Sequence, residues 1–169
     1  MNSRFNTLAL AATAVFALGL GATSASAAPV TAVAVAKAKV LKQLTIAKNS
    51  DLDFGTIVTG IAASTVTVNA AGALTCGVGL TCSQTPSAAK FTLTGTNNAI
   101  VTVSVPASVT LNSGTNTMTA LLTVLPTLNL GNSGNTGTAL TFGGTLNVGA
   151  GQADGVYASP DFAVTVDYQ

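Results

Sequence analysis

The feature that most restricts this chain is a hydrophobic period of two carried by β-branched residues. Residues 64–68 (STVTV), 91–96 (FTLTGT), 100–105 (IVTVSV), 117–124 (TMTALLTV) and 162–168 (FAVTVDY) alternate an apolar side chain with Thr, Ser or another small residue. In an extended chain successive side chains point to opposite faces, so each run offers one face to a core and one to solvent. Val and Thr fit a pleated surface better than a helix. In the last run Phe162, Val164, Val166 and Tyr168 share a face, with Ala163, Thr165 and Asp167 on the other.

Turn chemistry separates the runs. Asn69 to Gly72, Asn97-Asn98, Asn112 to Gly114, Gly131 to Gly137, Gly143-Gly144, Gly149 to Gly151 and Asp154-Gly155 carry residues that tolerate positive φ or bond their own backbone. Pro86, Pro106, Pro126 and Pro160 stand at run ends, where a missing ladder donor does least harm. Many short strands punctuated in this way predict an all-β fold, an antiparallel β-sandwich with hairpin or Greek-key links. The Gly/Asn-rich stretch from Leu130 to Gly137 is expected to be a long mobile loop.

The N-terminal residues MNSRFNTLALAATAVFALGLGATSASA have the layout of an export leader. Arg4 supplies the positive start, Leu8 to Leu20 the apolar middle, and Ala25-Ser26-Ala27 the small-x-small cleavage pattern, with Ala28 the first residue after the cut. The apolar run is shorter than the roughly 20 residues a membrane span needs. The expected organisation is a signal peptide over 1–27, an N-terminal extension over 28–39 and one sandwich domain over 40–169, with no membrane span after cleavage. The expected location is the periplasm, the outer surface or the extracellular space.

Beyond the leader, Lys37, Lys39, Lys42, Lys48 and Lys90 balance Asp51, Asp53, Asp154, Asp161 and Asp167, and there is no Arg, His, Glu or Trp. Such a chain has no basic field for nucleic acid and no polybasic patch for anionic lipid. General acid–base catalysis at neutral pH usually uses His or a tuned Glu. The Ser and Thr hydroxyls have no Ser-x-x-Lys or Gly-x-Ser-x-Gly context to activate them. No catalytic residue, metal site or cofactor is expected, and the chain reads as a non-enzyme.

Two cysteines, Cys76 and Cys82, lie in TCGVGLTC. In an oxidising compartment a close pair reads as a disulfide, and here it would pinch one local hairpin. Two thiolates without further ligands do not complete a tetrahedral metal site. Asp51 and Asp53, two apart, would share a face of an extended strand. Calcium requires more oxygen ligands than this stretch offers, so turn formation or capping is the expected role. The segment APVTAVAVAKAKV (28–40) has small apolar residues at its even positions, while its odd positions run from Thr31, Val33 and Val35 to Lys37 and Lys39. It reads either as an ordinary first strand of the sandwich or as a detachable strand that pairs with another subunit, with Val30, Val33, Val35 and Val40 as its apolar contacts. Its alanines would also permit a short helix.

Three stretches carry a resemblance. Asp51-Leu52-Asp53-Phe54-Gly55-Thr56 resembles the Leu-x-Phe-Gly motif of archaic chaperone–usher pilus subunits, the spore-coat-protein-U-like family. Phe91 to Thr96 followed by Ile100 to Val105 resembles that family's central hairpin. Gly144 to Gln152, Gly155-Val156-Tyr157 and Phe162 to Tyr168 resemble its closing segment. The chain is more similar still to small exported bacterial domains of unknown function with the same Asp-Leu-Asp-Phe-Gly opening. The resemblance spans most of residues 40–169 and rests on short structural motifs. It implies an immunoglobulin-like sandwich completed by a neighbour's strand, residues 28–39 being the donor, with self-association or related subunits and a periplasmic chaperone as partners. The local Cys76–Cys82 pair departs from the pilus family, where a cysteine near the mature N-terminus is common.

The function expected from these observations is a structural surface protein, a pilus- or fimbria-like subunit assembling by β-strand donation. The alternative is a self-complete monomeric envelope or secreted binding module.

Overall fold

A computed structural model describes residues 27–169. The expected leader, with Ala25 of its cleavage site, lies outside the described residues. Contacts divide the chain after Ala38. Before that point the described residues, Ala27 and Ala28 included, carry neither strand nor helix, and Val30 and Val33 are fully exposed. Residues 28–40 therefore do not form the first strand of the sandwich.

The unit from Lys39 to Gln169 contains every strand among the described residues. These are β1 (Thr45–Ser50), β2 (Thr56–Val58), β3 (Ser64–Val68), β4 (Leu74–Cys76), β5 (Thr81–Ser83), β6 (Ala89–Thr94), β7 (Ile100–Ser104), β8 (Ser108–Ser113), β9 (Asn116–Thr123), β10 (Thr127–Asn129), β11 (Thr138–Val148) and β12 (Thr165–Tyr168), with one helical turn, α1 (Ser133–Thr136). The fold is all-β and each strand pairing is antiparallel. The large sheet has the order β1-β6-β11-β3-β4, with β9 also on β11 and β8 on β9. A three-stranded sheet runs β10-β7-β12, and β2 pairs with β5.

Burial follows the alternation. Leu140, Phe142, Leu146 and Val148 lie on one face of β11 and are all buried. The first half of that face meets Leu93, Val101, Val103 and Leu130, so β6 and β11 close one core against β7 and β10. The second half meets Phe54, Val66, Val68 and Ala120 in a second core. Phe142 stacks on Phe91 with ring centroids 5.8 Å apart. Away from the cores, threonines meet across the strands. The Thr45 and Thr94 hydroxyls are 2.6 Å apart, and those of Thr67 and Thr145 are 3.0 Å apart. Each pair is in direct register, which is how a Thr-rich outer face stabilises a sheet.

The runs at 64–68, 91–96, 100–105 and 117–124 become β3, β6, β7 and β9, and the final run enters the sheet only at Thr165. Four expectations need correction. Gly143-Gly144 is not a turn but the middle of β11, the longest strand. A Cβ on Gly143 would run into the Val68 carbonyl, and one on Gly144 would lie 2.8 Å from the Leu121 carbonyl. The pair lets three strands approach closely instead of reversing the chain. Phe91–Thr96 and Ile100–Val105 do not form a hairpin, because β6 and β7 belong to opposing sheets. Leu93, Val101 and Val103 enter the same core from its two sides, so the link arches over it. Leu130 to Gly137 is a packed turn rather than an open loop. Leu130 and Ser133 are fully buried, and Asn97 accepts from the Gly134 N–H and donates to Asn132. Finally, Cys76 ends β4 and Cys82 lies in β5. These strands do not pair with each other, so the disulfide joins two sheets and not the arms of one hairpin.

Candidate functional site: an uncovered core face between two sheet edges

Strands β1 and β12 are the outer strands of their sheets. In β1, Ile46 stands directly opposite Leu93, and directly opposed residues share a face. Leu93 is fully buried, yet Ile46 is 40 % exposed. The core face of β1 is therefore present but uncovered. Across from it, Asp161 to Val164 lead into β12 with no strand pairing among the described residues. Between the two runs a groove of about 830 Å³, with Phe91 and Leu122 among its lining residues and Ile46, Phe162 and Val164 along it.

One end of this seam is tied shut. The Tyr168 hydroxyl donates to the Lys42 carbonyl at 2.9 Å and accepts from the Thr96 N–H at 2.7 Å. Leu44, Val166 and Tyr168 pack on the same core. The other end is polar. Lys48, opposite Phe91, donates to both Asp51 oxygens at 2.9 and 3.2 Å. That hydrogen bond and the Asp51 charge, with Asp161 also near, hold the Lys48 ammonium above the ordinary lysine range. Asp53 accepts the Gly55 N–H at 2.8 Å, and its backbone bridges to Ser87. Gly55 follows at φ +73°, and the chain leaves the large sheet for β2. Asp161 accepts no hydrogen bond among the described residues, so this mouth carries three carboxylates and one ammonium.

The remaining motif residues frame the groove. Gly155 (φ +148°) precedes Tyr157, whose hydroxyl donates to Ala153 O at 2.8 Å and accepts from Gln152 at 2.8 Å. Ala158 bridges to Asn112 of β8, fixing the segment that runs on to Phe162. Val35 and Val40 are exposed like Val30 and Val33. The structure thus brings Asp51, Asp53, Tyr157 and Phe162 to one groove, and places Tyr168 at its closed end and Cys76–Cys82 elsewhere, beside the second core. Sequence reasoning did not single out Ile46 or Lys48. TIAKNS is a weak alternation, and a lysine on the core-facing side hides the pattern.

Among the described residues no three His, Cys, Asp or Glu side chains gather to hold a metal. Among the same residues no buried side-chain nitrogen or oxygen lacks a partner, and no helix is long and apolar enough to cross a membrane. The groove is apolar along Ile46, Phe91, Leu122, Phe162 and Val164 and charged at its mouth, where Lys48 meets Asp51, Asp53 and Asp161. No curated protein and no solved structure matches the chain. Residues 44–168, from just before β1 to the end of β12, match the family described as Domain of unknown function (DUF4402), and the chain belongs to that family.

Proposed function

We propose that this chain is an exported, non-enzymatic structural subunit that assembles by strand addition, the groove between β1 and β12 receiving residues 28–39 of a second copy. The observation that carries this reading is Ile46, a core-face residue that the chain's own strands leave 40 % exposed. The likeness of the Asp51–Thr56 and closing motifs to pilus subunits and the alternating segment outside the sheets support it. An added strand would cover Ile46, Phe162 and Val164 and pair with free backbone, main-chain bonds giving affinity and alternate side chains the register. Such contacts join unlike surfaces and propagate into open filaments. The assembly would stand at the outer surface or in the periplasm, with a chaperone as a candidate escort for the open groove.

The test compares the full chain with one lacking residues 28–39 by size-exclusion and unheated gel electrophoresis. Polymers that resist dissociation are expected only with the segment present. A stable monomeric full-length chain would sink the reading. It would favour a self-complete binding module, for which Ile61 (97 % exposed) and Val78 (94 % exposed), on loops that touch at Gly60 and Gly79, are the apolar contact points.

A further inference from the structure

The groove is asymmetric, and so is the segment proposed to fill it. At one end of the groove Tyr168 and Leu44 close the core, and at the other Asp51, Asp53 and Asp161 outnumber Lys48. Residues 28–39 begin with valines and end with Lys37 and Lys39. Only one orientation brings unlike charges together. The chain from Asp161 to Tyr168 runs from the acidic mouth to the closed end, so a segment whose lysines sit at the mouth runs antiparallel to β12. The same segment runs parallel to β1, whose chain goes from the closed end at Lys42 to the mouth at Asp51, so charge and not pairing type sets the orientation. The reverse orientation would carry two ammonium groups toward the apolar end, where Val164 and Val166 offer no partner.

The side-chain period fixes the inward face. Asp161, Phe162 and Val164 line the groove. Phe162 and Val164 turn one way and Asp161 the other, so in the antiparallel register that sets Lys37 opposite Asp161, Ala36 and Ala34 stand opposite Phe162 and Val164 and the even-numbered face of the segment turns inward. From the chemistry of both surfaces we infer that the acidic mouth at Asp161 is a register clamp between copies of this chain, taking Lys37 of the incoming segment and setting Ala36 and Ala34 against Phe162 and Val164. The inference rests on the strand-addition reading above. Asp161 is the carboxylate available for the role, since Asp51 is engaged by Lys48 and Asp53 by Gly55. Lys39 lies at the rim and adds attraction without entering the slot. Exposed charge pairs of this kind act mainly on encounter rate and register, and they weaken as salt rises.

The test follows polymer growth of the full chain by light scattering at low and high salt. Asp161→Lys is expected to slow growth about tenfold at low salt, as is Lys37→Asp with Lys39→Asp, with both deficits shrinking in 0.5 M salt, the order of effect steering charges exert. A chain carrying all three changes is expected to recover most of the rate, an outcome that misfolding of either parent would not produce. Ala32→Asn with Ala34→Asn is expected to block growth where Val33→Asn with Val35→Asn does not. If the wild-type chain stays monomeric, strand addition itself is wrong. If the wild type polymerises and Asp161→Lys matches it at every salt concentration, or if the Val33/Val35 pair is the blocking one, the clamp is wrong and strand addition stands.

Discussion

Gly143 and Tyr168 show how much a single position can hold in a sheet of small residues. A methyl at 143 collides with the Val68 carbonyl, which is ladder backbone and not a side chain that can turn away. Gly143→Ala is therefore expected to cost more than about 2 kcal/mol, against about 1 kcal/mol for Gly151→Ala, where φ is +55° but nothing lies within 4 Å. Urea unfolding of the two variants makes the comparison. Tyr168→Phe removes a hydroxyl that both donates and accepts, and about 1–2 kcal/mol of stability is expected to go with it. Lys48 is a case where pH enters. Its folded value is raised, chiefly by the Asp51 hydrogen bond. The pair's contribution is thus present below the unfolded lysine pKa and lost as pH rises through the folded one. Because the side chain is exposed the effect on stability is small, and the clean readout is an NMR titration in which the Lys48 ammonium deprotonates above the ordinary lysine range.

At the level of elements, legibility tracked how self-contained each signal was. β3, β6, β7 and β9 alternate strongly within five to eight residues, and their faces could be assigned from sequence. β11 could not. Its Gly143-Gly144 looks like a turn because the reason for it lies in Val68 and Leu121, far away in the chain. The groove was hidden for a related reason, since the exposure of Ile46 is a property of what fails to lie over it. The disulfide pair was readable, but its span was not, because adjacency in sequence does not say which neighbour each strand chooses. Joining β4 to β5 ties the β2–β5 pair to the large sheet. Replacing Cys76 and Cys82 with Ala is expected to lower stability by up to about 2.4 kcal/mol from loop entropy. Amide exchange should then rise first in β2 and β5, while β6 and β11 keep their protection.

For the whole molecule, the same strand serves both cores. β11 takes β6 and β3 along its length and β9 as well, and Leu140 and Leu146 belong to different clusters on one face. Phe142→Ala, near its centre, is expected to cost about 3–5 kcal/mol and to loosen both cores together, seen as one cooperative unfolding transition with a lowered midpoint. Yet β11 is the eleventh of the twelve strands among the described residues. Until residues 138–148 are in place, β3, β6 and β9 lack the neighbour they share, and the edge each turns toward it stands open. The pairings of β11 with β3 and β6 join residues far apart in the chain, and closing loops of that length slows folding. The chain's real period of danger is therefore kinetic, and it ends with the arrival of a single eleven-residue strand.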